Sequence, residues 1–128
     1  MATGNFVLDK GYRAAAAITK FRAVKFSAAE TVTPVTAITD TIAGIAQFGV
    51  SSAEILRGKG CLTRVQGQSE MEASAAIAVG AIVSAGTDGR AKTAATGERV
   101  IGTCVGHPAT NAGDRITVRL HGVGALSP

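Results

Sequence analysis

Arg115-Ile116-Thr117-Val118-Arg119-Leu120-His121-Gly122 alternates apolar and polar side chains along its length. Ile116, Val118 and Leu120 fall on one side, and Thr117, Arg119 and His121 on the other. That period of two is the mark of a half-buried strand. A second stretch reads the same way. Leu62-Thr63-Arg64-Val65-Gln66-Gly67 matches Thr117–Gly122 when Arg64 is laid on Arg119. Upstream, Ile42-Ala43-Gly44-Ile45-Ala46 answers Val100-Ile101-Gly102-Thr103-Cys104, and Phe26-Ser27-Ala28 answers Val83-Ser84-Ala85. The offsets are 57, 58 and 55 residues. Offsets so nearly constant predict a duplicated β-unit, packed as a small β-barrel or β-sandwich. The extra residues of the first copy then fall at Ser51–Gly60.

Turn and cap signals fill the space between these strands. Ser51-x-x-Glu54 is a capping box that opens a short helix over Ala53–Arg57, with Gly58 as its stop. Asp88-Gly89 predicts a hairpin between Ile82-Val83 and Ala91. Around Met71 two readings stay open. The alternation of Met71 and Ala73 with Glu70, Glu72 and Ser74 fits a strand, whereas Ser69-x-x-Glu72 is a second capping box. The fold class is mainly β with one short helix. Residues 1–22 read as an N-terminal arm and 23–128 as a single β-rich domain. In the arm, Phe6-Val7-Leu8 is a short apolar patch and Lys10-Gly11 a turn. Arg13–Ala17 has helix propensity but is too short to be stable alone. The alternative for this segment is an ordinary first strand.

Composition bounds what such a body can do. Apolar residues make up 46% of the 128, but aromatics only 4%, with no Trp. Small side chains bury little area each, at about 25 cal/mol per Å². A core of this kind is only modestly stable alone, which favours an oligomer or a docked partner. The net charge of +4 raises nucleic acid as a partner. The cations are scattered, however. The densest group, Lys20, Arg22 and Lys25 beside Phe21 and Phe26, reads as an edge strand with solvent-facing cations, in preference to a nucleic-acid track.

No constellation for catalysis stands out. Cys61 and Cys104 are too few for a disulfide framework, and their apolar, alternating surroundings predict reduced, buried thiols. Cys104-x-x-His107 is half a zinc site at most, and no third group orients a Cys–His nucleophile. His121 has no partner at ligand spacing. Arg57-Gly58-Lys59-Gly60-Cys61 lacks the Gly-Lys-Ser/Thr ending of a phosphate loop. Gly122-Val123-Gly124 is half a dinucleotide fingerprint, and Glu70 with Glu72 reads as a solvated strand face. No enzyme, cofactor or metal is expected. Neither a signal-type apolar segment nor a membrane-length run is present, so synthesis in a cytoplasm is expected.

Residues 42–122 carry a recognisable order. Ala76–Val83 leads to Asp88-Gly89, then to Val100-Ile101-Gly102, then through Ala112-Gly113-Asp114 to Arg115–Leu120. This order resembles the cement, or head-decoration, proteins of tailed-phage capsids. The resemblance implies a structural virion protein on the capsid surface, made in a bacterial host. It would bind the major capsid protein and stabilise the shell, as a homotrimer at local three-folds or a dimer at two-folds. It implies no small-molecule substrate, membrane or nucleic-acid partner. The capsid-contact candidates are Phe6, Val7, Leu8, Tyr12, Arg13, Lys20 and Arg22. A tail or baseplate β-domain, or a carbohydrate-binding module, is the alternative. The latter usually presents aromatic platforms, for which only Tyr12 and four Phe are at hand.

Overall fold

The computed structural model describes residues 7–37 and 40–126, with side chains as far as Leu120. The first unit contains β1 (Leu8–Ala14), β2 (Ala23–Ala28), β3 (Thr31–Pro34), β4 (Ile42–Ala46), α1 (Ser52–Leu56) and β5 (Cys61–Gln66). Its strands close into a barrel in the order β1-β3-β2-β4-β5. The second contains β6 (Gln68–Glu72), β7 (Ile82–Ala85), β8 (Ala91–Thr93), β9 (Arg99–Cys104) and β10 (Arg115–Leu126). These form one sheet in the order β6-β10-β9-β7-β8.

The two orders are one arrangement. Started at β3, the barrel runs β3-β2-β4-β5-β1; started at β8, the sheet runs β8-β7-β9-β10-β6. The registers repeat as well. Val24 faces Gly44 as Val83 faces Gly102. Ile45 faces Arg64 as Thr103 faces Arg119. Tyr12 faces Cys61 as Met71 faces Ile116. The parallel pair Ala14–Val32 recurs as a single bridge, Ala73–Ala91. Ile18–Val50 recurs as Ile77–Ala109.

These pairings bear out the duplication and correct one of its offsets. Val24 and Val83 are equivalent, so β2 and β7 lie 59 residues apart, where the sequence alignment has 57. A slip of two residues keeps every side chain on the same face, so small apolar strands align in either register. The separation is 58 at Gly44 and Gly102, 59 again at Val50 and Ala109, and 55 at Cys61 and Ile116. The extra residues of the first copy therefore sit at α1.

The helix forms for a local reason. Ser51 Oγ accepts the Glu54 N–H (3.2 Å), and the Glu54 carboxylate accepts the Ser51 N–H (2.9 Å). Two orphan donors of the first turn are thereby satisfied. Lys59 Nζ, 2.8 Å away, together with the Ser51 N–H pulls the Glu54 pKa down to about 2. The helix buries no side chain, and Leu56 is 90% exposed.

One buried cluster spans both units, joining Ala23, Val35, Ile42 and Ile45 to Met71, Ile77, Val83, Ile101, Ile116 and Val118. A second stays within the barrel, around Tyr12, Val24, Val32, Ala43 and Cys61. Ser69, Met71 and Ala73 are buried in turn, which settles the stretch around Met71 as a strand. Both cysteines are free and buried, and burial pushes both thiol pKa values up.

Two expectations are corrected. Within the expected arm, Leu8–Ala14 is a barrel strand, paired with β5 on one side and β3 on the other. Residues 1–6 lie outside the described residues. The cationic segment is not an edge strand either. β2 lies between β3 and β4 in a closed barrel, and Lys25 is paired with Asp40 at 3.0 Å.

Candidate functional site

The two units differ where the second one closes. In the barrel, the Arg13 N–H donates to the Glu30 carbonyl and the Ala15 N–H to the Val32 carbonyl, both at 2.9 Å. These bonds seal the seam between β1 and the β2–β3 turn. In the second unit the Ser74 N–H donates to the Ala91 carbonyl, the counterpart of Ala15 and Val32. The counterpart of the Arg13–Glu30 bond is absent. The Glu72 N–H donates instead to the Phe21 carbonyl (3.0 Å), and the Gly89 carbonyl accepts the Ala23 N–H (2.8 Å). Phe21-Arg22-Ala23 of the first unit thus stands in the seam of the second.

Charge and close packing hold the segment there. Arg22 reaches both Glu72 oxygens, at 3.3 and 3.4 Å. Arg90 lies 3.7 Å from Glu72 and 2.6 Å from Asp88. Burial works against the Asp88 charge, but the Arg90 N–H and guanidinium outweigh it and keep the carboxyl below its ordinary pKa. Gly89 has φ +81, and a Cβ there would meet the Ala23 carbonyl at 2.8 Å. Phe21 itself has φ +61, costly for a bulky residue. Its N–H is fixed on the Ala46 carbonyl, and its ring lies under Lys20 and Arg115, at 5.1 and 4.7 Å. Phe21 and Glu30, the two non-glycine residues of positive φ among the described residues, correspond to Gly80 and Gly89 of the second unit.

The contact candidates do not form one patch. Val7 and Leu8 are 48% and 47% exposed at the start of β1. Phe6 lies outside the described residues. Tyr12 is buried and meets Phe26 edge-on at 5.2 Å, because the alternation of β1 turns Tyr12 and Ala14 inward. Arg22 is engaged in the junction with Glu72. Tyr12 thus faces inward, and Arg22 is half-buried in an ion pair. Arg13 and Lys20 are exposed, Arg13 about 16 Å along β1 from Leu8 at strand rise.

A depression of about 660 Å³ opens beside Arg13. Gly11–Ala14 form one wall, Glu30 another, and Ile55 with Gly58–Gly60 the third. The sequence carried no signal for it, because three separate segments build it. Of the residues weighed for chemistry, Cys104 Sγ donates to the His107 carbonyl at 3.3 Å, so the Cys-x-x-His spacing serves a turn. Among the described residues no three His, Cys, Asp or Glu side chains group as metal ligands.

The comparisons fit a β-built structural protein. The crystal structure of the head fiber gp8.5 N base in bacteriophage phi29 is similar, with a TM-score of 0.63 and 22% identity. The match covers 90% of this chain and 94% of that one. At that identity the likeness shows the fold. Among curated proteins none matches significantly. Residues 41–120, more than half the chain, match the phage cement protein family. That family is structural and non-enzymatic, and its members are proteins of the virion capsid. This chain, by its matched sequence, belongs to the phage cement protein family.

Proposed function

We propose that the protein binds the outer surface of the phage shell through the major capsid protein, as a homotrimer, and stabilises the shell. The observation that carries this reading, beyond family membership, is the pair of exposed apolar side chains at Val7 and Leu8. They stand at the start of β1, where Leu8 is paired with Gln66 of β5, so part of the order needed for contact is already in place. Fully burying two such side chains contributes about 1.5–3 kcal/mol each. Three copies repeat the contact, and multivalency multiplies it. The net charge of +4 per chain and the exposed Lys20 add electrostatic steering toward an acidic shell.

Co-sedimentation with shells that lack the protein tests the reading. Binding in fixed ratio to the major capsid protein is expected. The V7D/L8D double variant is expected to stay folded and to bind poorly even at low salt. Salt is expected to slow binding of the unmodified protein and leave it tight, since apolar burial is not screened. Full decoration by the double variant would rule out this end of β1 as the anchor.

A further inference from the structure

The contact between the two units has a direction. The first unit gives the segment Phe21–Ala23, and the second receives it between Glu72 and Gly89. Each unit, being a copy of the other, has both a segment to give and a seam to receive. One of each is used inside the chain, which leaves one of each over. The unused segment is Gly80-Ala81-Ile82, the counterpart of Phe21-Arg22-Ala23. It is anchored in the same way, with the Gly80 N–H on the Cys104 carbonyl and the Cys104 N–H on the Ala81 carbonyl. The other seam, Arg13–Glu30, is closed in the single chain by its own hydrogen bond, and the depression of about 660 Å³ lies on it.

The surface chemistry of the free segment agrees. Its covered counterpart, Ala23, is fully buried by the second unit, whereas Ile82 is 40% exposed and its neighbour Val79 56%. The depression, for its part, is lined by Tyr12 and Ile55 beside backbone and charged groups.

We infer that a second copy of this chain is the occupant: Gly80–Ile82 of one copy docks on the Arg13–Glu30 seam of the next, continuing the internal interface from chain to chain. The inference rests on the reading of the protein as one subunit of a homo-oligomer. In this contact the Arg13 N–H turns from the Glu30 carbonyl to the Gly80 carbonyl of the neighbour. The Glu30 carbonyl then accepts the neighbour's Ile82 N–H. One hydrogen bond is exchanged for two, as in the internal seam. The contact is head-to-tail, so repetition gives a ring where the rotation closes.

Three variants test this in sedimentation velocity. I82D, which spoils the segment, and G11W, which fills the depression from a position with open space around its Cβ, are each expected to be monomeric with unchanged melting temperature. Mixed together they are expected to form one-to-one dimers, because one intact segment still meets one intact seam. An isologous interface gives no such rescue. The third, A81R/R13E, transplants the internal Arg22–Glu72 pair to the outer contact and is expected to tighten association at least tenfold. An A81C copy mixed with an R13C copy is expected to form a disulfide, free or on shells. An unmodified protein that is monomeric both free and on shells, or oligomers that survive I82D, would overturn the inference. Shell binding by monomeric I82D would leave the capsid reading standing, and failure of the unmodified protein to bind shells would sink that reading alone.

Discussion

At the residue scale, close backbone approach and buried charge decide most of what a substitution does. Gly44 and Gly102 occupy equivalent places, and a Cβ at either would run into the Arg64 or Arg119 carbonyl of the next strand. Overpacking of this kind typically costs 1–3 kcal/mol, so about that loss is expected for Gly102→Ala in urea denaturation. Gly11→Ala, with nothing within 4 Å, is the neutral control. Val118 is fully buried and Thr117 half-buried on the opposite face. Val118→Asp is expected to cost several kcal/mol and Thr117→Asp little, read in the same melts. Glu98 is buried; it accepts from Lys92 at 2.6 Å, the Ala95 N–H at 2.7 Å and Ser84 at 3.2 Å. Lys92 first, then the Ala95 N–H, hold its carboxyl below the ordinary value against burial. A carboxyl whose folded pKa is depressed stabilises the fold above its unfolded pKa. That contribution is lost as pH falls through the folded value. Stability is therefore expected to fall as pH drops below the ordinary Glu value, and Glu98→Gln to flatten that slope while costing about 1–3 kcal/mol at neutral pH.

At the scale of elements, the sequence was legible wherever the signal was local. The alternation at Ile116–Leu120, the capping box at Ser51–Glu54 and the Asp88-Gly89 turn each depend on a few neighbouring residues, and each formed as read. Leu8–Ala14 was read as part of an arm because its pattern is poor. Gly11 and exposed Lys10 interrupt it, and it is a strand because β3 and β5 hold it from both sides. The inward turn of Tyr12 and the pairing of Arg22 were hidden for the same reason, since both are set by partners far along the chain. The seam was illegible altogether: Phe21-Arg22-Ala23 and Glu72 meet only after both units have formed. Removing the Glu72 carboxylate is expected to loosen this junction. A double-mutant cycle of Arg22→Ala with Glu72→Ala should give a coupling within about 0.5–3 kcal/mol. The same cycle on exposed Lys59 and Glu54 is expected to stay within the smaller range of surface pairs, about 0–1 kcal/mol.

At the scale of the whole molecule, the repeat explains both the fold and its asymmetry. One unit closes on itself and the other closes on its sibling, so the second is expected to depend on the first for stability. Far-ultraviolet circular dichroism is expected to be dominated by strand. The barrel joins its first and last strands across the whole first unit, as the Asp9–Arg64 pair at 2.8 Å shows. Pairing so distant in sequence makes folding slow, on the order of milliseconds to seconds. Closure has a mechanical meaning too. A pull applied through Val7 and Leu8 runs along the axis of β1, and the ladders to β3 and β5 lie across that direction. The load then shears all of those bonds together instead of peeling them apart one by one. Under such a load β1 yields as a unit or not at all.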